Sequence, residues 1–305
     1  MNRTRHVTPS PRLMATALIF LLALAVALIG YFTGAFTETA PPPSPGGPDA
    51  LEVYFLDVGQ GDSILILQGA SACLIDAGTN HMASVLVDTL RSLGVERLDV
   101  VVGTHPHEDH IGGLDAVIRA FPIETLIMPK AEHGTKTFRD VLDAVEEAGL
   151  RVTAPKAGTC YAVGEAGLEI LWDELGGSLN NSSVVTRLTY AGRALLLMGD
   201  AEAPVEEKLL ASGRALKSDF LKVGHHGSDT ATTAAFLHAA DPLEAFILCG
   251  ADNSYHHPHA TTLRKLEELA EAKGRPVGVH RTDLLGTIAL RVDPDGTYSV
   301  DIWEG

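Results

Sequence analysis

Between His105 and His110 the chain reads His-Pro-His-Glu-Asp-His, which puts four candidate metal ligands, His105, His107, Asp109 and His110, within six residues. Imidazole and carboxylate at this density, in a loop leaving an apolar strand, are what a borderline cation such as zinc requires. In an extended segment His105 and His107 point the same way, while Asp109 and His110 follow where the chain turns into a helix. Two groups of ligands facing different directions suit two cations better than one. A second strand ends in Gly199-Asp200, where a carboxylate beside a glycine is well placed to bridge two cations. A third ends in Gly224-His225-His226-Gly227-Ser228 and adds two imidazoles. Farther along, His256-His257-Pro258-His259 precedes a helical stretch, and His257 suits general-acid work near neutral pH. Lys222, beside the second His pair, could hold an anionic oxygen. Eight of the 13 histidines fall in these three segments, a concentration that argues against scattered core imidazoles.

The elements that must position these residues follow from hydrophobic periodicity. Closely spaced β-rich runs at 51–56, 63–67 and 72–75 read as a meander, and 82–93 carries apolar residues at helical spacing before Gly94. A continuous apolar strand at 98–103 leads into the His-rich loop. Helices are expected at 114–121 and 138–148, with a strand at 124–128 between them. The second half repeats this style, with strands at 168–172, 184–190, 194–198, 220–223 and 245–248. Its helices fall at 204–210, 232–239 and 260–272, and three strands near Val277, Thr287 and Tyr298 close the chain. Two β-rich halves with helices outside predict two sheets packed face to face and covered by helices.

With 305 residues and 46% hydrophobic content, the chain has ample material for a core. Its 39 acidic residues outnumber 23 basic ones, so a broad basic surface for nucleic acid is excluded, and a phosphate substrate needs a local device such as a metal. Cys73, Cys160 and Cys249 form no CxxC pair and read as core residues. Arg3, Arg5 and Arg12 precede an uncharged apolar stretch at 13–37, long enough to span a bilayer. The positive-inside bias makes 1–12 cytoplasmic and puts the rest on the extracytoplasmic side of the cell membrane as a single-pass protein. The alternative is a cleaved signal peptide and a secreted product. Residues 38–50, rich in Pro and Gly, read as a tether, and 51–305 as the folded domain. One apolar span cannot itself form a transport channel.

The three strand ends together resemble the metallo-β-lactamase superfamily, whose His-x-His-x-Asp-His motif is matched by His105, His107, Asp109 and His110. Leu56-Asp57-Val58-Gly59-Gln60-Gly61-Asp62-Ser63, Leu197-Met198-Gly199-Asp200 and Leu221-Lys222-Val223-Gly224-His225-His226-Gly227-Ser228 narrow it further. They are similar to the hydrolase domain attached to the ComEC competence channel and its free-standing relatives, from about Leu51 to the C-terminus. The resemblance implies an α/β fold of the αββα type, two mixed β-sheets covered by helices. It also implies two divalent metal ions, zinc or alternatively manganese. His105 and His107 would hold the first, Asp109 and His110 the second, with Asp200 bridging and His225 as the last ligand. Asp109, His226, His257 and Lys222 are then the catalytic groups, and Asp76 is a brace that is not itself a ligand. There are two departures. Asn180 and its neighbours stand where most of the superfamily has another His, and His107 stands where many ComEC-like domains have Asp. The first loosens one metal site and the second tightens it.

The leading expectation is metal-dependent phosphodiester hydrolysis, with a metal-bridged hydroxide attacking extracellular DNA. The partners it implies are nucleic acid or another phosphodiester as substrate, the membrane, and a separate DNA-uptake channel. Two rivals stand beside it. One is hydrolysis of a lactone, thioester or β-lactam on the same dinuclear site, since fold does not fix substrate. The other is a tethered binding module of a DNA-uptake system.

Overall fold

The computed structural model describes residues 49–175 and 177–305. The expected anchor at 13–37, the N-terminus at 1–12 and most of the 38–50 tether lie outside them. Among the described residues no helix is long and apolar enough to cross a membrane.

The first half contributes β1 (Leu51–Phe55), β2 (Ile64–Gln68), β3 (Ser71–Ile75), β4 (Leu98–Val102), β5 (Ile123–Ile127) and β6 (Val152–Thr153). The second half contributes β7 (Cys160–Val163), β8 (Ala166–Trp172), β9 (Val185–Tyr190), β10 (Arg193–Leu197), β11 (Phe220–Lys222), β12 (Glu244–Ile247) and β13 (Gly278–Arg281). Two last strands, β14 (Ile288–Val292) and β15 (Tyr298–Ile302), return to the first sheet, whose order is β15-β14-β1-β2-β3-β4-β5-β6. The other sheet runs β13-β12-β11-β10-β9-β8-β7. Each sheet is mixed. The strands from β3 to β6 and from β10 to β13 pair in parallel, and the remainder pair antiparallel.

Side-chain alternation sorts the strands into layers. In β1, Leu51, Val53 and Phe55 join the core between the sheets, while Tyr54 faces the helices of the first half. In β10 to β12, Leu195, Leu197, Phe220 and Phe246 face that same central core, and Leu196, Leu221, Ala245 and Ile247 face the second helical layer. Because both faces are covered, these strands are mostly apolar, each with a single charged residue, Glu52, Arg193, Lys222 or Glu244. Phe55 and Phe246 stack across the sheets with ring centroids 4.0 Å apart, and truncating such a core aromatic costs about 3–5 kcal/mol. Helices such as Ala83–Ser92 and Lys136–Glu147 cover one sheet, and Ala203–Ala211 and Ala234–Ala240 the other, turning their buried stripes inward.

Two strands escape the periodicity. β6 has two residues, both exposed, and β7 is the outer strand of the second sheet. β6 is too short to write a run into the sequence, and β7 is a run of only four residues, Cys160–Val163. Cys160 lies exposed on β7, which corrects its assignment to the core; Cys73 and Cys249 are buried.

Candidate metal centre

The parallel strands share one consequence: their C-terminal ends, with the loops that follow, open along one rim. Such an edge is where open α/β sheets place ligands. Asp76 follows β3, the His105–His110 segment follows β4, Asp200 follows β10, and the two adjacent imidazoles follow β11.

Asp200 is the hub. Only 2% exposed, it holds Oδ2 at 3.7 Å from His105 Nε2 and 3.2 Å from His110 Nε2. Its Oδ1 stands 3.4 Å from His226 Nε2. Gly199 before it has φ +53, and a Cβ there would meet Ser183 and Thr104 at 3.1–3.2 Å, so glycine is needed for both backbone and space. The freed room lets Ser183 Oγ accept the Asp200 N–H at 3.0 Å.

Two sets of potential ligand atoms meet on that carboxylate: Asp109, His110, His226 and Asp200 in one, and His105, His107 and Asp200 in the other, all within 4.8 Å of each other in each set. Within the second set, His105 Nε2 and His107 Nδ1 face each other at 2.9 Å. In the first, His110 Nδ1 donates to Asp76 Oδ2 at 2.8 Å. Asp76 also accepts from the Thr104 N–H and hydroxyl, each at 2.7 Å. Asp76 thus aims His110 Nε2 toward Asp200 and sits in the bracing position expected of it. His226 is aimed the same way, its Nδ1–H donating to the Leu248 carbonyl at 2.9 Å. The buried His110 Nε2, His226 Nε2 and Asp200 Oδ1 then have no hydrogen-bond partner. Buried polar atoms seldom stay unpaired, and three converging lone-pair donors of mixed N and O type fit a divalent cation.

The adjacent histidines are placed differently from the sequence expectation, which made His225 the ligand. In the turn Gly224–Gly227 both adopt left-handed backbone, His225 at φ 48 and His226 at φ 53, a conformation costing about 1–3 kcal/mol each outside glycine. That turn sends the rings to different sides of Asp200. His226, not His225, joins Asp109 and His110. His225 Nε2 lies 3.7 Å from Asp200 Oδ2 and 3.3 Å from Asn180 Nδ2, with Nδ1 on Thr230 Oγ1 at 3.2 Å. No regular spacing announces a pair of left-handed residues, so ring direction was not legible beforehand.

Lys222 also departs from expectation. Its side chain is fully buried and its ammonium is paired with Asp62 Oδ2 behind the cluster, not turned to the cleft to hold an anionic oxygen. The strand that carries it alternates, and this position faces the inter-sheet side. Asp62, part of the Asp57–Ser63 segment, is buried beside the cluster. Its signal lies in the two glycines before it: a Cβ on Gly61 would collide with the Asp109 carbonyl, and the Asp62 N–H donates to that same oxygen at 3.1 Å. Asp62, Asp76 and His110 form a third cluster of ligand type, in which Lys222 pairs with Asp62 Oδ2 and the Thr104 donors and His110 occupy Asp76, while Asp62 Oδ1 has no hydrogen-bond partner.

His257 lies 8% exposed beside the cluster, its ring 5.5 Å from that of His225 and 6.0 Å from that of His226. Burial, reinforced by His226 and His225, pulls its pKa down to about 4, and its Nδ1 has no partner. Burial would lower His226 as well, but Asp200, Asp62 and Asp109 reverse this and lift it to about 10. Carboxylates so concentrated attract positive charge of any kind, proton or metal.

Residues 56–251 match the Metallo-beta-lactamase superfamily, and the chain belongs to that superfamily, a class of metal-dependent hydrolases. Within it, the sequence is 32% identical over 272 residues to ComE operon protein 3 of Bacillus subtilis, covering 82% of this chain and 34% of that protein. It is 30% identical over 268 residues to competence protein ComA of Neisseria gonorrhoeae, covering 86% of this chain and 35% of that protein. The chain thus spans about a third of the length of these relatives. The fold is shared with the metallo-beta-lactamase fold protein YhfI of Bacillus subtilis at TM-score 0.50 and 15% identity, over 83% of this chain and all of that one.

Proposed function

We propose that this protein hydrolyses phosphodiester bonds, with DNA as substrate, through two divalent cations. The observation that carries the reading is the shared carboxylate: Asp200 belongs to both ligand sets while His110 Nε2, His226 Nε2 and its own Oδ1 lack partners. Asp109, His110, His226 and Asp200 would hold one cation, and His105, His107 and Asp200 the other, zinc or manganese by donor type. Bound cations supply Lewis-acid charge to a phosphate and lower the pKa of water toward 7. That charge is also how a protein of net charge −16 would handle a polyanion.

The surrounding residues divide the remaining work. Asp109, whose side chain is 29% exposed against 3% for Asp200, reaches toward solvent and orients the attacking water. His257 is held neutral in the free protein, and an arriving phosphate anion favours its protonated form, so it gives a proton to the leaving oxygen. The competence proteins among the relatives support nucleic acid as the substrate class. Residues 13–37 would anchor the body through the 38–50 tether on the extracytoplasmic side, beside a separate DNA-uptake channel.

The test is direct. Metal-loaded protein should cleave DNA and a nitrophenyl phosphodiester, and leave lactone, thioester and β-lactam substrates nearly untouched. Turnover of a carbonyl substrate alone would reject the phosphodiester reading. For placement, a reporter fused after Gly305 should be active outside the cytoplasm; activity confined to the cytoplasm would reject the orientation.

A further inference from the structure

Lys222 is fully buried at the end of β11, although ammonium groups enter interiors only when paired. Its Nζ has two partners, Asp62 Oδ2 and the Gly199 carbonyl, the latter at 3.2 Å. Each leads to the metal centre. Asp62 Oδ1 stands 3.3 Å from His226 Nδ1, and Oδ2 stands 4.0 Å from His110 Nδ1. Gly199 immediately precedes Asp200, and its carbonyl also accepts the His225 N–H at 3.0 Å. Asp62 in turn is pinned by its backbone, its N–H donating to Asp109 O at 3.1 Å and its carbonyl accepting from Gly78 N at 2.8 Å. One ammonium therefore ties β11, the 57–62 loop, the Gly199–Asp200 turn and the His225–His226 turn together.

We infer that Lys222 is a positioning residue that, through Asp62 and the Gly199 carbonyl, fixes the His226 ring and the Asp200 carboxylate, and that it never touches substrate. The inference rests on reading the cluster as a metal centre. Its logic is electrostatic. Asp62 Oδ1 has no hydrogen-bond partner but puts negative charge behind a ring whose Nδ1–H donates to the Leu248 carbonyl, which favours the tautomer with Nδ1 protonated and Nε2 free for a cation. Without Lys222 that carboxylate is a buried, uncompensated charge, and it would draw a proton or another cation out of place. An apolar residue at 222 is tolerable only if Asp62 becomes neutral as well.

The decisive comparison is Lys222→Met against the double variant Asp62→Asn, Lys222→Met. Metal retention is read by competition with a chromophoric chelator, and KM and kcat are read on a nitrophenyl phosphodiester at saturating metal. Lys222→Met should weaken metal retention by about 10- to 100-fold, the scale of losing a residue behind a ligand. The double variant should return to within about tenfold of the natural protein, because it leaves no uncompensated buried charge and the Leu248 carbonyl still accepts the His226 Nδ1–H. KM should change in neither. A lysine that held phosphate would give the opposite pattern: metal retained in both variants and KM raised equally in both, which would overturn the inference. If Lys222→Met alone does not fold, the double variant decides, and a loss of metal there beyond about tenfold overturns it. If the natural protein itself retains no metal, the metal-centre reading fails and this inference fails with it.

Discussion

The two ligand sets that share Asp200 are held with unequal firmness, and the inequality comes down to His107. In the Asp109, His110, His226 set, both Nδ1 atoms donate to fixed acceptors, Asp76 Oδ2 at 2.8 Å and the Leu248 carbonyl at 2.9 Å. In the His105, His107 set, His105 Nδ1 meets two hydroxyls, Thr104 Oγ1 at 3.2 Å and Ser183 Oγ at 3.3 Å. A carboxylate or carbonyl can only accept, and the Thr104 hydroxyl, whose proton goes to Asp76, likewise accepts at His105 Nδ1, so the difference lies with His107, whose Nδ1 faces another imidazole, His105 Nε2, at 2.9 Å. His107 is also only half buried, and Asn180 stands where the superfamily resemblance leads one to expect a third imidazole. The difference teaches that a shared bridging carboxylate does not make two equal sites. The buried set should bind its cation tightly, and the open set weakly.

The largest break in this comparison is Asp200→Ala, which removes the group common to both sets. Metal content should fall for both cations and turnover should drop to background, as read by elemental analysis and phosphodiester assay. Full occupancy in that variant would remove Asp200 from the ligands. Next comes the adjacent pair. His226→Ala should lose the tight cation and with it nearly all activity. His225→Ala should keep that cation and lose activity by a smaller factor. A titration showing the reverse would restore the order expected before the turn's left-handed backbone was seen.

His257→Ala should keep both cations, separating substrate handling from metal binding. DNA cleavage should slow on the 10²- to 10⁴-fold scale typical of general-acid loss, while a nitrophenyl phosphodiester, whose leaving group needs no proton, should turn over almost normally. Equal damage to both substrates would make His257 a group that positions phosphate. The smallest effect concerns the metal-free protein. His226 has its pKa raised to about 10 from 6.5, so its contribution to stability is fully present below pH 6.5 and fades as pH rises toward 10. The metal-free Tm should decline across that window, and cation binding near pH 7 should release protons, measurable by calorimetry in buffers of different ionisation enthalpy. A flat Tm with no proton release would contradict the charged state assigned to the empty cluster.

Much of the fold was legible because both faces of most strands are covered. Strands 51–56, 98–103 and 194–198 announce themselves as apolar runs, and each ends within a residue or so of the observed strand. β6, two residues long, is too short to write such a run, and β7 writes one of only four residues, Cys160–Val163. Within the candidate site, the meeting of His105, His107, Asp109, His110 and Asp200 follows from strand ends that motif spacing makes visible. Ring direction does not. Whether His225 or His226 turns inward depends on two positive φ angles, and whether Lys222 meets solvent or Asp62 depends on which sheet face it occupies. Asp62 lay in plain view inside a glycine-rich motif. Its purpose requires knowing that Gly61 packs against the Asp109 carbonyl, a contact between segments nearly fifty residues apart.

The measurement that bears most directly on the unequal, carboxylate-linked pair is a titration of the metal-free protein with one divalent cation, repeated on His107→Ala. The natural protein should bind in two phases, one tight and one weak, with phosphodiesterase activity following the second phase. His107→Ala should lose the weak phase and keep the tight one. A single phase of one cation in the natural protein, or loss of the tight phase in His107→Ala, would contradict the account.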